Sequence, residues 1–380
     1  MGSDRIRSRE GDASSIAAMP EVLRWTNSRQ ALRQVHDGYV DRMAVALGRT
    51  LRRISVENPA LGERLERSLS DLPNESFLRV LTSPETCSRL LWHRHGSVEE
   101  VSHFLEKSLL AEQARNGRPV VPGEEIWTAL RDARVLPDGQ VVAEPPLGDL
   151  IPLDFDSPQV SKIDLSGRQG RDHWPLDPDG RATTRLRLER ALAGISATGE
   201  FLDAFVTLFI KILVLQRDRE GTSYGSGSDQ HHVGRVVITN PHGPKVEDFH
   251  LAESLVHEAV HALLYMQVQT SPWGLVDLPE DREPRVTSPW TGNDLALSAF
   301  LHACFVWYGL AQFWCLALSA GAFTAEGMTR RLARAAAGFV GPPLLDRLPG
   351  QSVNSVIPVI KESIGRMQAS IRDAFGTASG

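Results

Sequence analysis

The sequence predicts a mainly α fold with a small β component, that is, an α+β protein. Residues 20–115 and 183–380 consist largely of stretches in which apolar residues recur at helical spacing. Between them, residues 116–182 are rich in Pro, Gly and Asp, which favour turns and short strands. A β-branched run at residues 235–240, bounded by Gly and by Asn-Pro, predicts a strand in the second helical region.

The composition is that of an ordinary globular protein, with 380 residues, 42% hydrophobic and 23% charged. A formal net charge of −6 gives no reason to expect a nucleic-acid partner. We expect no disulfide, because Cys304 and Cys315 lie far apart along one predicted helix and only one further cysteine is present. The first residues lack the apolar core of a signal peptide, so we expect a cytoplasmic protein.

Four segments are expected along the chain: a disordered tail (1–19), an N-terminal helical region (20–115), a loop-rich connection (116–182) and a metal-binding region (183–380). In the second segment, one helix should run from Pro20 to Gly48, with others over 58–70, 75–82, 85–95 and 97–114. Residues 184–217 predict two more helices. The second, over 201–216, is apolar on nearly every side and should be buried, with Lys211 extending its amine to the surface.

One motif carries recognisable chemistry, the sequence His257-Glu258-x-x-His261 within a predicted helix over 250–266. Residues four apart lie one turn apart on the same helix face, so both imidazoles can reach one metal ion. Glu258 lies beside them, where it can handle a proton. The alternative is a pair of core histidines flanking a surface glutamate. Apolar residues at helical spacing on another face favour a buried helix that presents ligands.

The predicted strand at 235–240 precedes this helix, as in zincin-like metal sites, where the HExxH helix packs against a strand whose edge can bind an extended peptide. The order of strand and helix alone supports this comparison with zincin-like sites, and it does not establish the function.

A very apolar run after Asn293 and Asp294, either of which could cap it, is long enough to span a membrane. We favour a core helix and no membrane partner, because the run contains His302 and lacks basic anchors. Helices near 324–338 and 353–374 should follow. Arg330, Arg331 and Arg334 should form a solvated basic face on the first of them.

A stable site needs a third protein ligand. The chain does not match the pattern HExxHxxGxxH, because Leu264 stands in place of its Gly and Gln267 in place of its final His. Glu280 and Glu283 are at plausible separations but lie in a proline-bounded loop. His302 is a lone, strongly polar group on an apolar helix, and burying it unpartnered would cost roughly 1–3 kcal/mol. It is therefore either hydrogen-bonded in the core or a metal ligand, and we favour the second.

The segments LVHEAVHALLY and SPWTGNDLALSAFLHACFVWYGLAQFW resemble the HExxH-type peptide β-hydroxylases, over about residues 234–315. These enzymes use iron(II), α-ketoglutarate and O2 to modify ribosomally made peptides. The resemblance implies that His257, His261 and His302 hold iron, and that the partner is a precursor peptide. Many relatives have Arg directly after Pro-Trp, where this chain has Thr291.

That departure leaves open which group binds the distal carboxylate of the co-substrate. A cation or hydroxyl groups are needed, and the chain offers Arg285, Ser288 and Thr291, of which we place Arg285 first. Glu258 would orient a ligand or a water. In the alternative, a zinc metallopeptidase, Glu258 would instead be the general base.

Overall fold

The computed structural model describes residues 16–26, 29–92, 97–163, 172–221, 223–271 and 283–375. Helices account for 61% of the structure and strands for 11%, in small sheets, which confirms the mainly α, α+β fold. All three cysteines are free.

Residues 16–22 are helical and are called α1. The later helices are α2 (Arg29–Glu57), α3 (Pro59–Ser70), α4 (Asn74–Leu81), α5 (Pro84–Cys87), α6 (Val98–Arg115), α7 (Pro178–Thr198), α8 (Glu200–Phe209), α9 (Asp248–Thr270), α10 (Leu297–Ala320), α11 (Ala325–Val340) and α12 (Pro358–Phe375). A π-helical turn (Ser88–Trp92) follows α5, and two 3-10 turns (Leu344–Arg347 and Gly350–Ser355) precede α12. The strands are β1 (Ile126–Trp127), β2 (Ala133–Val135), β3 (Val141–Ala143), β4 (Leu153–Asp154), β5 (His173–Pro175), β6 (Ile212–Asp218), β7 (Gly225–Gly227), β8 (Arg235–Thr239), β9 (Arg285–Thr287) and β10 (Asp294–Ala296).

The chain forms two compact units, each built from segments distant in sequence. The helical unit comprises Met1–Gly38, Ala191–Val206 and Asp248–Gly380, and the sheet unit comprises Tyr39–Arg190 and Thr207–Glu247. The segment boundaries expected near residues 115 and 182 stay predictions.

The sheet unit is centred on β6, which pairs in parallel with both β4 and β8. β5 joins β6 and β7 joins β8, both antiparallel, and β1–β3 form a separate antiparallel sheet. The predicted strand at 235–240 is confirmed as β8. The helix predicted over 201–216 is wrong beyond Phe209, where α8 ends and β6 soon begins. A parallel strand buried on both faces is continuously apolar, and such a run does not differ in pattern from a buried helix.

Lys211 lies at this junction and not in the middle of a helix. The residue is partly exposed, and burial lowers the pKa of its amine from 10.5 to about 8, so the extension of the amine to the surface stays a prediction. The helix predicted to end at Gly48 instead continues as α2 to Glu57, whereas the predictions that correspond to α3, α4 and α6 agree within about two residues.

The helical unit begins with α1, in which Ile16 and Met19 are buried. The tail predicted over 1–19 is therefore wrong for residues 16–19, and residues 1–15 lie outside the described part of the chain. Pro20 lies within α1 and does not begin a helix that continues to residue 48, because a turn at residues 23–26 separates α1 from α2.

α10 is the one described helix long and apolar enough to cross a membrane, but 61% of its most apolar window is buried inside the protein. It packs against both α9 and α11 and is thus a core helix, as the sequence favoured. The predicted cap is wrong: Asp294 lies in β10, and α10 begins at Leu297. The carboxylate of Glu283, which the sequence raised as a possible metal ligand, accepts hydrogen bonds from the Ser298 amide (3.0 Å) and hydroxyl (2.8 Å) in the first turn.

Candidate metal centre

α9 presents the two histidines of the motif one turn apart. The helix is apolar along the faces that contact its neighbours, and Leu255, Ala259 and Leu263 are fully buried. His257 and His261 keep part of their surface exposed, with ring centroids 4.9 Å apart. The ligand atoms of His257, Glu258 and His261 all lie within 4.8 Å of one another, and the Glu258 side chain is buried. This is the arrangement that the HExxH spacing predicts.

α10 brings His302 to the same place. Its ring centroid lies 6.2 Å from that of His261 and 5.4 Å from that of Tyr265. Tyr265, one turn beyond His261 on α9, stacks on the His261 ring at 5.7 Å. The rings of His261, Tyr265 and His302 thus form a cluster from two helices. The sequence analysis assigned no role to Tyr265.

These separations can be tested against metal geometry. A metal–nitrogen distance of about 2.0–2.1 Å places each imidazole centroid about 3.2 Å from the ion, so adjacent ligands have centroids roughly 4.5–5.3 Å apart. The pair His257 and His261, at 4.9 Å, fits this range. His302, at 6.2 Å from His261, lies about 1 Å beyond it. The close ligand group therefore consists of His257, Glu258 and His261, and His302 would have to move towards His261 to join it.

A second observation agrees with a metal at this site. The Nδ1 atom of His261 is buried and has no hydrogen-bond partner among the residues that the structure describes. A buried ring nitrogen without a partner is costly, and coordination or an ordered water would satisfy the ring. The donor set of imidazoles with a neighbouring carboxylate suits both iron(II) and zinc.

The electrostatic environment keeps two of these imidazoles neutral. The pKa of His261 is lowered from 6.5 to about 3, first by burial and then by the nearby His257, while Glu258 opposes the change. Burial lowers the pKa of His302 from 6.5 to about 4. At neutral pH both rings are therefore unprotonated, so a metal ion would not have to displace a proton from either of them.

Aromatic side chains flank the cluster. Trp307 on α10 meets His257 edge to face at 6.4 Å and stacks on Trp290 at 5.8 Å. The Trp290 indole is buried and donates to the carbonyl of Ala335 on α11 at 2.9 Å. The guanidinium of Arg334 lies 5.3 Å from the Trp307 ring centroid. The Pro-Trp loop is thereby linked through two stacked indoles to a motif histidine.

The three residues predicted to bind the co-substrate occupy this loop and the strand before it. Ser288 is buried, and its Oγ accepts from the amides of Trp290 and Thr291 at 3.3 Å. Thr291 is exposed, and its Oγ1 accepts from the Asn293 amide. The exposed Arg285 donates to the carbonyl of Asp294 at 2.7 Å, across the β9–β10 pair. These contacts give each residue a role in the turn, and their binding of co-substrate stays a prediction.

Glu253 on α9 forms hydrogen bonds with side chains of both α10 and α11. Its carboxylate, on α9, accepts from the Trp314 indole of α10 at 2.9 Å and from Arg331 of α11 at 2.7 Å. The Arg331 guanidinium also lies over the Phe249 ring. The solvated basic face predicted for α11 is therefore wrong at Arg331, which is mostly buried in an ion pair, and Arg334 rests on an indole. Neither contact leaves a local sequence signal, because the partners are 27 to 78 residues away.

No protein-family model matches this chain, and comparison with curated proteins gives no match. The resemblance to peptide β-hydroxylases therefore remains an expectation from the motifs, and the site is interpreted from its own geometry.

Proposed function

We propose that this protein is an iron(II)- and α-ketoglutarate-dependent hydroxylase that oxidises an unactivated β carbon in a ribosomally synthesised precursor peptide in the cytoplasm. The observation that carries the proposal is the position of His302, which meets His261 across the α9–α10 contact. Two histidines four apart occur by chance in many helices, whereas a third from another apolar helix needs a reason to be there.

Iron(II) bound here with α-ketoglutarate and O2 would supply the oxidising chemistry, which no side chain can provide. His257, His261 and His302 would hold the ion, and a set of three imidazoles would leave coordination positions for small oxygen ligands. Glu258, buried next to both motif histidines, would orient a ligand ring or accept a proton. The indoles of Trp290 and Trp307 would limit access of water from their side.

The proposal is tested with protein purified without oxygen and reconstituted with iron(II). We expect about one iron per chain, and a visible charge-transfer band when α-ketoglutarate chelates the ion. Admission of oxygen with the small peptides encoded beside the gene should give succinate and a hydroxylated peptide. His302→Ala should abolish both products. His250→Ala is the matched control, because His250 lies two turns before His257 on α9 and its ring lies 4.3 Å from that of Phe249.

Two outcomes would contradict the proposal. One is iron-loaded, folded protein that shows no charge-transfer band and forms no succinate. The other is equal activity of the wild type and His302→Ala, which would exclude the third imidazole as a ligand.

A zinc metallopeptidase is the second candidate. The close grouping of Glu258 with His257 and His261 favours it, because a carboxylate beside a metal-bound water is what peptide hydrolysis requires. Peptide cleavage that depends on zinc, needs no oxygen and is lost in Glu258→Gln would support this candidate.

A further inference from the structure

The sheet unit contains an arginine-rich cleft whose volume is about 460 Å³. Arg42, Arg49 and Arg53 line it from α2, and Arg89 lines it from the π-helical turn. Among the described lining residues Asp41 is the one acidic side chain, so the four arginines give the lining a positive formal charge, although Glu85 pairs with Arg89 from outside it. The chain as a whole is acidic, with a net charge of −6, which makes this local concentration of arginines unusual.

The arginines of α2 share one face. Positions 42, 49 and 53 are separated by seven and four residues, which at 100° per residue places them within about 40° of one another. They extend over about 16 Å along the helix axis. Arg49 is exposed, and Arg42 and Arg53 are partly buried. A row of planar guanidinium groups at this spacing suits several separated carboxylates better than one compact anion.

The floor of the cleft is apolar. Leu90, Leu91 and Val101 are buried there, and Val45 of α2 is 52% exposed. Arg89 is held by Glu85 at 2.9 Å and lies over the Phe104 ring, so its position is fixed before any ligand arrives. A ligand that matches this surface carries apolar groups between its negative charges, and the volume is in the range of small-molecule and side-chain pockets.

We propose that this cleft binds an acidic peptide segment in which Glu or Asp residues alternate with apolar residues. A single phosphate would engage one arginine pair and leave the apolar floor uncovered. A long polyanion such as RNA would extend beyond the cleft and meet repulsion from the acidic remainder of the chain, whereas a few acidic residues can lie within the roughly 16 Å that the arginines span. The inference concerns binding alone and stands whether or not the metal centre is an oxygenase.

The test is fluorescence anisotropy with the full-length protein and a labelled synthetic peptide of about twelve residues that alternates Glu with Leu and Ala. We expect binding that weakens about tenfold as salt is raised, because the contacts are charged. The same peptide with Gln in place of Glu should bind at least about tenfold more weakly.

Two matched pairs of variants locate the site. Arg49→Glu should weaken binding about tenfold, whereas Arg52→Glu, at an exposed position of the same helix outside the cleft lining, should change it less than about twofold. Val45→Glu adds a negative charge without removing an arginine and should also weaken binding. Its control is Val56→Glu, at a position that is 84% exposed and outside the lining.

Four results would overturn the proposal. Equal losses in Arg49→Glu and Arg52→Glu would show diffuse attraction and no site. Equal binding of the Gln peptide would show apolar adhesion. Displacement of the peptide by inorganic pyrophosphate, or tighter Arg49-dependent binding of a single-stranded oligonucleotide, would assign the cleft to phosphate ligands.

Discussion

Acid should destabilise the metal-free protein through His302, and replacing this histidine should remove that part of the pH dependence. Burial lowers the pKa of His302 from 6.5 to about 4 in the folded protein. Because the folded value is the lower one, the unfolded chain takes up the proton first as the pH falls. The stabilisation is therefore complete above about pH 6.5 and is lost progressively towards about pH 4.

The magnitude follows from the two pKa values. At about pH 5 they correspond to a loss of about 2 kcal/mol in the free energy of unfolding, relative to about pH 8. His302 keeps part of its surface exposed, so solvent screening should reduce the effect to about 1 kcal/mol. His261 should add a loss of the same sign, since its pKa is lowered to about 3.

The assay is urea unfolding of chelator-treated protein at several pH values from about 8 to 5. Between about pH 8 and pH 5, the free energy of unfolding should fall by about 1 kcal/mol less in His302→Gln than in the wild type. This difference does not depend on how stable the variant is at neutral pH. His103→Gln, at an exposed position on α6, is the control and should follow the wild type. Identical pH dependence in the wild type and His302→Gln would refute the reasoning.

The other predictions concern the packing around the centre. Glu253→Ala should lower the free energy of unfolding by about 2–4 kcal/mol, because it leaves a mostly buried arginine and an indole without their acceptor. Glu326→Ala removes an exposed ion pair on α11 and should change the free energy of unfolding by less than about 1 kcal/mol. Gly338→Ala should cost about 1–3 kcal/mol, because a Cβ there would overlap the Trp290 indole. Gly365→Ala, where nothing lies within 4 Å of the added carbon, should instead stabilise α12 by about 0.5–1 kcal/mol. Chemical denaturation measures all four, and a Gly338→Ala protein as stable as Gly365→Ala would exclude the tight indole contact.

The parts of the site that could be predicted are those with local determinants. His257 and His261 share a face because of their spacing, and any helix over this segment would bring them together. His302 stood out as a strongly polar group in an apolar helix, so a partner for it could be expected without knowing the fold. Its proximity to Tyr265 could not be predicted, because it depends on how α10 crosses α9.

The parts that failed depend on distant segments. Residues 212–215 form a strand because β4 and β8 pair with them on either side. Their sequence, ILVL, is equally compatible with a buried helix. Asp294 looked like a helix cap but pairs in β10 with β9. Glu283, which the sequence placed in a loop, then takes the place of the cap by accepting from Ser298. Asp294 therefore does not cap the helix, because it pairs with Thr287, seven residues earlier, in the β9–β10 sheet.

The distance between His261 and His302 depends on contacts that are not part of the centre. α9 and α10 bury apolar faces against each other, which is non-directional and would tolerate a small sliding of one helix along the other. Glu253 adds direction, because its two hydrogen bonds to Trp314 and Arg331 are satisfied at one relative position only. A shift of about 1 Å that brings His302 onto an ion is therefore easier by rotation of its side chain than by movement of α10. If metal binding required the helices to move, it would strain the hydrogen bonds of Glu253. In that case Glu253→Ala should raise the affinity of the protein for the metal.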